Sequence, residues 1–279
     1  MKIISIDAGG TSSHGILYNE KGEVLQEVIK GPAALQVDFS QALENITSCI
    51  DGFDEFDQIV IGMSGAFPCK KADQFKSILI GKYGDIITLF DDIELSYYAN
   101  FGHSFGVAVV AGTGSVAFSK DSNGFHLHGG WGYLLGDEGS AYSIVRTIIQ
   151  EALRQLEAGV TSDLTETVFK VTHSDNRNEL LSNVYTLSRT EFASLAKEFA
   201  AIKDSAIDEC IEMEALKLAN VTLRAINQDC KKVSVSGSVF SNQDFKNYYV
   251  SHLFENGVVE IIEDRYQNAY GGYRYIFNK

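Results

Sequence analysis

The chain is poor in the residues that punctuate, cross-link or anchor a fold. Only two of its 279 residues are proline, Pro32 and Pro68, so no proline-rich linker divides it. Cys49, Cys69, Cys210 and Cys230 form no C-x-x-C pair. That argues against a zinc ribbon or a cysteine-held cluster and for reduced structural thiols. No apolar run approaches the roughly 20 residues that a membrane-spanning helix needs. The opening residues Met1–Asp7 place a carboxylate inside what would be a signal peptide's apolar core. Basic side chains are also scarce: 23 Lys and Arg against 37 Asp and Glu leave a net charge of −14, unsuited to a nucleic-acid backbone. These absences point to a cytoplasmic protein with neither a membrane nor nucleic acid as partner. A small anion held by local amides and a metal ion is still compatible with them.

Glycine is plentiful, with 25 residues, and its placement organises the chain. Phe105–Ser119 reads F-G-V-A-V-V-A-G-T-G-S-V-A-F-S: two short apolar runs, rich in β-branched residues, broken at Gly112-Thr113-Gly114-Ser115. Such runs read as buried strands joined by a tight turn. Glycine there permits positive φ and a close approach to a ligand, and exposed turn amides bind anions. The N-terminus says the same thing. Lys2–Asp7 is a strand, Ala8-Gly9-Gly10-Thr11 a turn, Ser13–Tyr18 a strand, Asn19–Gly22 a turn and Glu23–Val28 a strand. The later copy runs Val107–Ala111, turn, Ser115–Ser119, Asp121–Gly124 as turn, Phe125–His128. Thr11 and Thr113 are 102 positions apart (113 − 11), a domain-sized offset. Two homologous halves follow from it, each opening with a three-stranded meander.

After the first meander the pattern alternates. A helix over Asp38–Ile50 buries Phe39, Leu43, Ile46 and Ile50. A strand spans Gln58–Gly62, a helix Lys70–Leu79, a strand Asp85–Phe90 and a short helix Glu94–Phe101. The second half carries a helical insertion of about 140–230. Its helices are Ser140–Ala158, one or two within Leu164–Tyr185, one opened by the capping box Ser188-Arg189-Thr190-Glu191, and Asp204–Asn227. Strands at Lys232–Ser236 and Val258–Ile262 flank a helix near Gln243–Leu253, and a last helix follows Tyr266. Alternating strands and helices mean an α/β protein with mixed sheets. The expected domains are 1–101, with the terminal helix 266–279 packing back on it, and 102–265, with a hinge near Phe101-Gly102-His103.

Glycine turns at Asp7–Thr11, Gly112–Ser115 and Val235–Val239 fall at the C-terminal ends of strands, where open α/β sheets bind ligands. Ala269-Tyr270-Gly271-Gly272 follows at a helix. In this order they resemble the sugar kinase, actin and Hsp70 ATPase superfamily, in which two ribonuclease-H-like halves clamp ATP. The first two turns are similar to its phosphate loops, Ser236-Gly237-Ser238 to its adenosine loop, and the Gly271-Gly272 helix to an interdomain connector. Gly129-Gly130-Trp131-Gly132-Tyr133-Leu134-Leu135-Gly136-Asp137-Glu138-Gly139-Ser140 resembles the G-W-G-x-x-x-G-D-E-G-S segment of N-acetylglucosamine kinases and the related BadF/BadG/BcrA/BcrD ATPases.

The resemblance implies ATP-dependent phosphorylation of an amino sugar, N-acetylglucosamine or glucosamine, at the 6-hydroxyl, with magnesium as cofactor and a homodimer as a candidate assembly. It places Gly9, Gly10, Thr11, Ser13, Gly112, Thr113 and Gly114 on the phosphates, and Gly237 and Ser238 on the adenosine. Gly130, Trp131 and Asp137, with Thr113, would contact the sugar, and Asp7 would hold magnesium through water. The catalytic base belongs after the last strand of the first half, where Asp92 aligns best and Asp91 is the alternative, unless it caps the next helix. The family's sugar-binding asparagine is missing: the loop reads Lys30-Gly31-Pro32-Ala33-Ala34-Leu35-Gln36, with Gln36 as the one polar substitute. Two rival readings are a BadF-type ATPase that activates an iron–sulfur dehydratase and a non-catalytic sugar sensor. The histidines His14, His103, His126 and His128 share no metal-ligand spacing, and Tyr266, Tyr270, Tyr273 and Tyr275 read as packing residues of the last helix.

Overall fold

The computed structural model describes residues 1–66, 70–226, 230–263 and 267–277. Pro68, Cys69, Asn227 and Tyr266, on which expectations fell, lie outside them. The chain divides into two compact units, Met1–Ser104 with Asp264–Lys279, and Phe105–Glu263.

The first unit holds strands β1 (Lys2–Ala8), β2 (Ser13–Asn19), β3 (Val24–Lys30), β4 (Gln58–Met63) and β5 (Ile87–Asp91). Helices α1 (Phe39–Ile50), α2 (Lys70–Tyr83) and α3 (Asp92–Phe101) alternate with the later strands. The sheet order is β3-β2-β1-β4-β5, antiparallel through the meander and parallel from β1 to β5. Residues such as Ile4, Ile6, Ile59 and Ile61 pack one face on α1 and α2.

The second unit repeats that plan. Its strands are β6 (Gly106–Ala111), β7 (Ser115–Asp121), β8 (Gly124–Gly129), β9 (Lys232–Ser236) and β10 (Glu260–Glu263), in the order β10-β9-β6-β7-β8. Read from the meander edge, β8-β7-β6-β9-β10 has the pairing senses of β3-β2-β1-β4-β5. Between β8 and β9 lie α4 (Ala141–Glu157), α5 (Asp163–Val171), α6 (Arg177–Thr186), α7 (Arg189–Ser194), α8 (Ala196–Ala200) and α9 (Ser205–Ala225). One 3₁₀ turn, Ser238–Ser241, and α10 (Gln243–Glu255) follow β9. Helix α11 (Tyr270–Phe277) closes the chain in the first unit, where Tyr273 packs with Ile3, Ile16 and Tyr18 on the sheet's other face. These two mixed five-stranded sheets have the α/β, actin-like ATPase architecture expected from the sequence. No helix among the described residues is long and apolar enough to cross a membrane.

Several boundaries differ from expectation for physical reasons. Helix α3 starts at Asp92 rather than Glu94, because Asp91 caps it: Ile93 N–H donates to the Asp91 carboxylate and Glu94 accepts from Asp91 N–H. Helix α2 runs one turn beyond Leu79, its end held by Lys82 Nζ and the Tyr83 hydroxyl on Asp51 at 2.6 and 2.7 Å. Leu164–Tyr185 forms two helices, α5 and α6, each with its own side-chain cap. The capping box at Ser188–Glu191 is present as written in the sequence.

Candidate active site

In the first unit the C-terminal ends of the parallel strands carry the acids. Asp7 stands opposite Gly62, and Gly62 opposite Phe90. Asp92 therefore emerges just past β5, two strand spacings or about 9–10 Å across the sheet from β1. Burial raises the Asp7 carboxyl above its ordinary value. A hydrogen bond from Asn268 opposes that rise, the charge of Asp92 adds to it, and His14 lowers it. Asn268 Nδ2 donates to Asp7 Oδ2 at 3.2 Å, so the segment before α11 orients the acid. The two carboxylates that feel each other here are hard-oxygen donors. Asp7 alone suits a magnesium ion that keeps water and phosphate oxygens in its remaining positions.

The turn between β1 and β2 is closed by Gly9 N–H on Ser12 carbonyl oxygen, 2.9 Å. Gly10 and Thr11 are exposed, and a Cβ at Gly10 would project into open space. Neither Gly9 nor Gly10 has positive φ, nor do Gly112 and Gly114. The expected reason for glycine in these turns is thus corrected: they provide room, not an unusual backbone. Ser13 was also expected to line the phosphate loop. It is fully buried, and its hydroxyl donates to Gly31 carbonyl at 3.0 Å. Where an asparagine was expected, buried Ala33 gives its N–H to the Gly9 carbonyl. Gln36 donates its amide to Gly65 carbonyl, 3.2 Å.

In the second unit the turn between β6 and β7 is closed by Gly112 N–H on Gly114 carbonyl, 2.8 Å, and tied to α4 by Ala141 N–H on Gly112 carbonyl. Gly237 has φ +100, and a Cβ there would strike the Ala111 backbone. Only glycine lets the loop after β9 close onto the end of β6. Beside these turns opens a cavity of about 650 Å³, lined by Thr113, Ser238, Val239, Asn242, Thr190 and Lys197 among others. That volume is in the range of small-molecule sites.

The glycine-rich segment Gly129–Gly139 bends through positive φ at Gly129, Gly130, Gly132, Asp137 and Gly139. It exposes Trp131, Leu134 and Leu135 at 61, 75 and 79 %. Asp137 instead turns inward. One carboxylate oxygen accepts Gly132 N–H at 3.1 Å and the other the Arg189 guanidinium at 3.0 Å. A carboxylate has about four acceptor positions, so capacity remains. Next to it Glu138 Oε2 is buried without a hydrogen-bond partner among the described residues, an acceptor that the local fold leaves unsatisfied. The loop's far end is held by Glu214, whose carboxylate accepts Gly139 N–H at 3.0 Å.

Sequence reasoning missed Arg189, Glu214, Asn268 and Lys197, and ranked Glu138 behind Asp137. A lone acid within the apolar stripe of α9 was the available signal for Glu214. The histidines hold hydrogen bonds, His14 to Glu27, His103 to Tyr275 carbonyl, His126 to Asp121 and His128 to Ser119. Among the described residues no cluster of three acids, histidines or cysteines could hold a metal by itself.

Two sheets of one topology with glycine turns at their parallel ends define an actin-like ATPase fold. A Chromobacterium violaceum protein proposed to be an N-acetylglucosamine kinase superposes with a TM-score of 0.75 at 19 % identity, covering 99 % of this chain and 98 % of that one. The chain belongs to the BadF/BadG/BcrA/BcrD ATPase family, whose model matches residues 4–273. Among its relatives is the N-acetylmuramic acid/N-acetylglucosamine kinase of Clostridium acetobutylicum, 25 % identical over 266 residues, 87 % of each chain. The N-acetyl-D-glucosamine kinase of Dictyostelium discoideum is 26 % identical over 259 residues, 83 % of this chain and 80 % of that one.

Proposed function

We propose that the protein is an ATP-dependent kinase of an amino sugar, N-acetylglucosamine or glucosamine, acting on the 6-hydroxyl. The observation that carries this reading is the division of equipment between two like units. One presents Asp7 and Asp92 at the C-terminal ends of β1 and β5, beside an open glycine turn. The other presents a cavity next to its own glycine turn and an unsatisfied carboxylate oxygen in a glycine-rich loop. The names of the two curated relatives support the sugar class.

Phosphoryl transfer to a hydroxyl is mostly positioning and charge stabilisation. In this reading Gly9, Gly10, Thr11, Gly112, Thr113 and Gly114 hold phosphate oxygens, and Gly237 and Ser238 border the adenosine. Asp7 holds magnesium, which would neutralise phosphate charge when bound. Asp92 takes the hydroxyl proton; Asp91 is committed to capping α3. Gly130, Trp131, Thr113 and Asp137 line the sugar, and Glu138 Oε2 accepts one of its hydroxyls. The dehydratase-activator reading loses ground because a cluster needs accessible thiolates. Burial pushes the thiols of Cys49 and Cys210 up to about 11. Cys49, Cys210 and Cys230 are buried and in no disulfide among the described residues, as suits a protein of the reducing cytoplasm.

The test is ADP release over a panel of N-acetylglucosamine, glucosamine, N-acetylmuramic acid, N-acetylmannosamine and glucose, with the phosphorylated position read by NMR. Sugar binding without turnover would favour the sensor instead. Asp92→Asn should lower kcat by about 10²–10⁴-fold, the usual contribution of a positioned base. Turnover within tenfold of wild type would remove Asp92 from that role.

A further inference from the structure

Helix α7 turns two faces to two places in the second unit. Thr190, Ala193 and Ser194 line the cavity. Arg189, offset from them around the helix, meets the Gly129–Gly139 loop. Its guanidinium lies 3.0 Å from Asp137 Oδ2 and 5.3 Å from the centre of the Tyr133 ring. It also sits 2.6 Å from the point that a Gly114 Cβ would occupy, so glycine at 114 makes room for the Arg189–Asp137 pair. Ring contacts close the circuit. Tyr133 packs on Tyr142 at 5.0 Å, and Tyr142 on Phe192 at 4.6 Å. Phe192 is one turn along α7 from Arg189. The same short helix therefore carries one wall of the cavity and the cation that fixes the loop.

The loop is built to respond. Asp137 has φ +58, a conformation that a non-glycine residue keeps only when its surroundings over-determine it. Its carboxylate side chain is 5 % exposed, so loss of the guanidinium would leave a buried charge without its partner. Trp131, Leu134 and Leu135 hang in solvent with little packing to resist a change of setting.

We infer that Arg189 is a positioning residue that couples the two sites. A nucleotide seated in the cavity bears on α7, α7 sets Arg189, and Arg189 sets the glycine-rich loop through Asp137 and Tyr133. This rests on the reading of the cavity as the nucleotide site, and it adds that the sugar loop is ordered by nucleotide binding.

Trp131 is the only tryptophan in the chain and sits in that loop, so its emission reports the loop without knowledge of the sugar. ADP is titrated into the full-length protein while Trp131 fluorescence is followed, and calorimetry on the same samples gives occupancy. Wild type should show a saturable change whose midpoint matches the calorimetric Kd. Arg189→Met at saturating ADP should lose more than half of the amplitude, Asp137→Asn likewise, and Arg189→Lys should restore most of it. An undiminished response in Arg189→Met overturns the inference and leaves the nucleotide site standing. So does a silent Trp131 in wild type saturated with ADP. Absence of calorimetric ADP binding to wild type overturns the nucleotide site itself, and the coupling with it.

Discussion

Glu214→Gln is the perturbation whose size the structure sets most directly. Glu214 is fully buried on α9, and the donors to its carboxylate include Gly139 N–H at 3.0 Å, the Thr147 hydroxyl at 2.7 Å and Lys217 Nζ at 2.7 Å. Lys217 is 44 % exposed, so water takes over its ammonium when the charge is removed. That half-solvated ion pair accounts for only about 0–1 kcal/mol. The two buried donors matter more. Glutamine offers one carbonyl oxygen and an NH₂ group: with the oxygen on Gly139 N–H, the NH₂ donates to the Thr147 hydroxyl, whose own proton loses its acceptor. One orphaned buried donor costs about 1–3 kcal/mol, and the expected total is about 2–3 kcal/mol.

For a unit of this size each kcal/mol moves Tm by about 2–4 °C. Calorimetry should show the transition of the second unit falling by about 4–12 °C. The Gly139 amide should also lose hydrogen-exchange protection. Burial alone would raise the Glu214 carboxyl, but bonds from Lys217, Thr147, Ser143 and Gly139 outweigh it and hold the group below its ordinary 4.5. A carboxyl depressed in the folded state stabilises fully above its unfolded pKa and ceases to as pH falls through its folded one. The gap between wild type and Glu214→Gln should therefore be level near neutrality and close below about pH 4.5. A gap that widens toward acid would refute the account, as would a shift under 1 °C with the Gly139 amide still protected.

Two glycine substitutions separate space from conformation. Gly10→Ala adds a methyl group in open space at an ordinary φ, so stability should stay within about 0.5 kcal/mol. ADP formation should nevertheless fall at least tenfold, because the methyl group occupies the place proposed for phosphate. Unchanged kcat/KM would take phosphate off that turn. Gly237→Ala combines φ +100 with a methyl group driven into the Ala111 backbone. Strain and overpacking together predict a loss of at least about 2 kcal/mol in thermal or urea unfolding, and a near-neutral result would show that this loop relaxes freely.

The fold was legible because both of its signals are local. β-branched runs cut by glycine turns gave the two meanders, and a 3.6-residue spacing gave α1, α4 and α9. The family resemblance rested on glycine turns that fall where the strands end. What escaped depends on partners far along the chain. Arg189 lies 52 residues from Asp137 and Glu214 lies 75 from Gly139, both reaching back from the helical insertion. Arg189 was read only as part of a capping box, which describes its backbone and not its side chain. Position 214 lies beside the apolar stripe of α9, but a buried carboxylate there makes sense only once the N–H of Gly139 is known to need an acceptor. Asp92 could be placed within a residue or two from the sequence. The cap that Asp91 makes on α3 favours Asp92 as the proposed base, although Ile93 N–H also donates to Asp92 Oδ1 at 2.9 Å.

The 102-residue repeat also assigns the hydroxyls around the two turns. Ser13 and Ser115 are equivalent positions (115 − 13 = 102), each opening the second strand of its meander. Each is buried and donates to a carbonyl of a neighbouring loop, Ser13 to Gly31 and Ser115 to Glu138, at 3.0 and 2.7 Å. The same tie made twice, from unrelated loops, marks these serines as fasteners of the turn. A hydroxyl committed in that way is a poor candidate for a phosphate oxygen, since breaking the tie would orphan a carbonyl. The threonines two residues earlier in each turn differ: Thr11 is exposed and Thr113 lines the cavity. In both units, then, the serine holds the turn in place while the threonine and the bare glycine backbone face outward. Glycine at positions 10 and 112 keeps that outward face clear, which is why its ordinary φ there is no argument against a ligand.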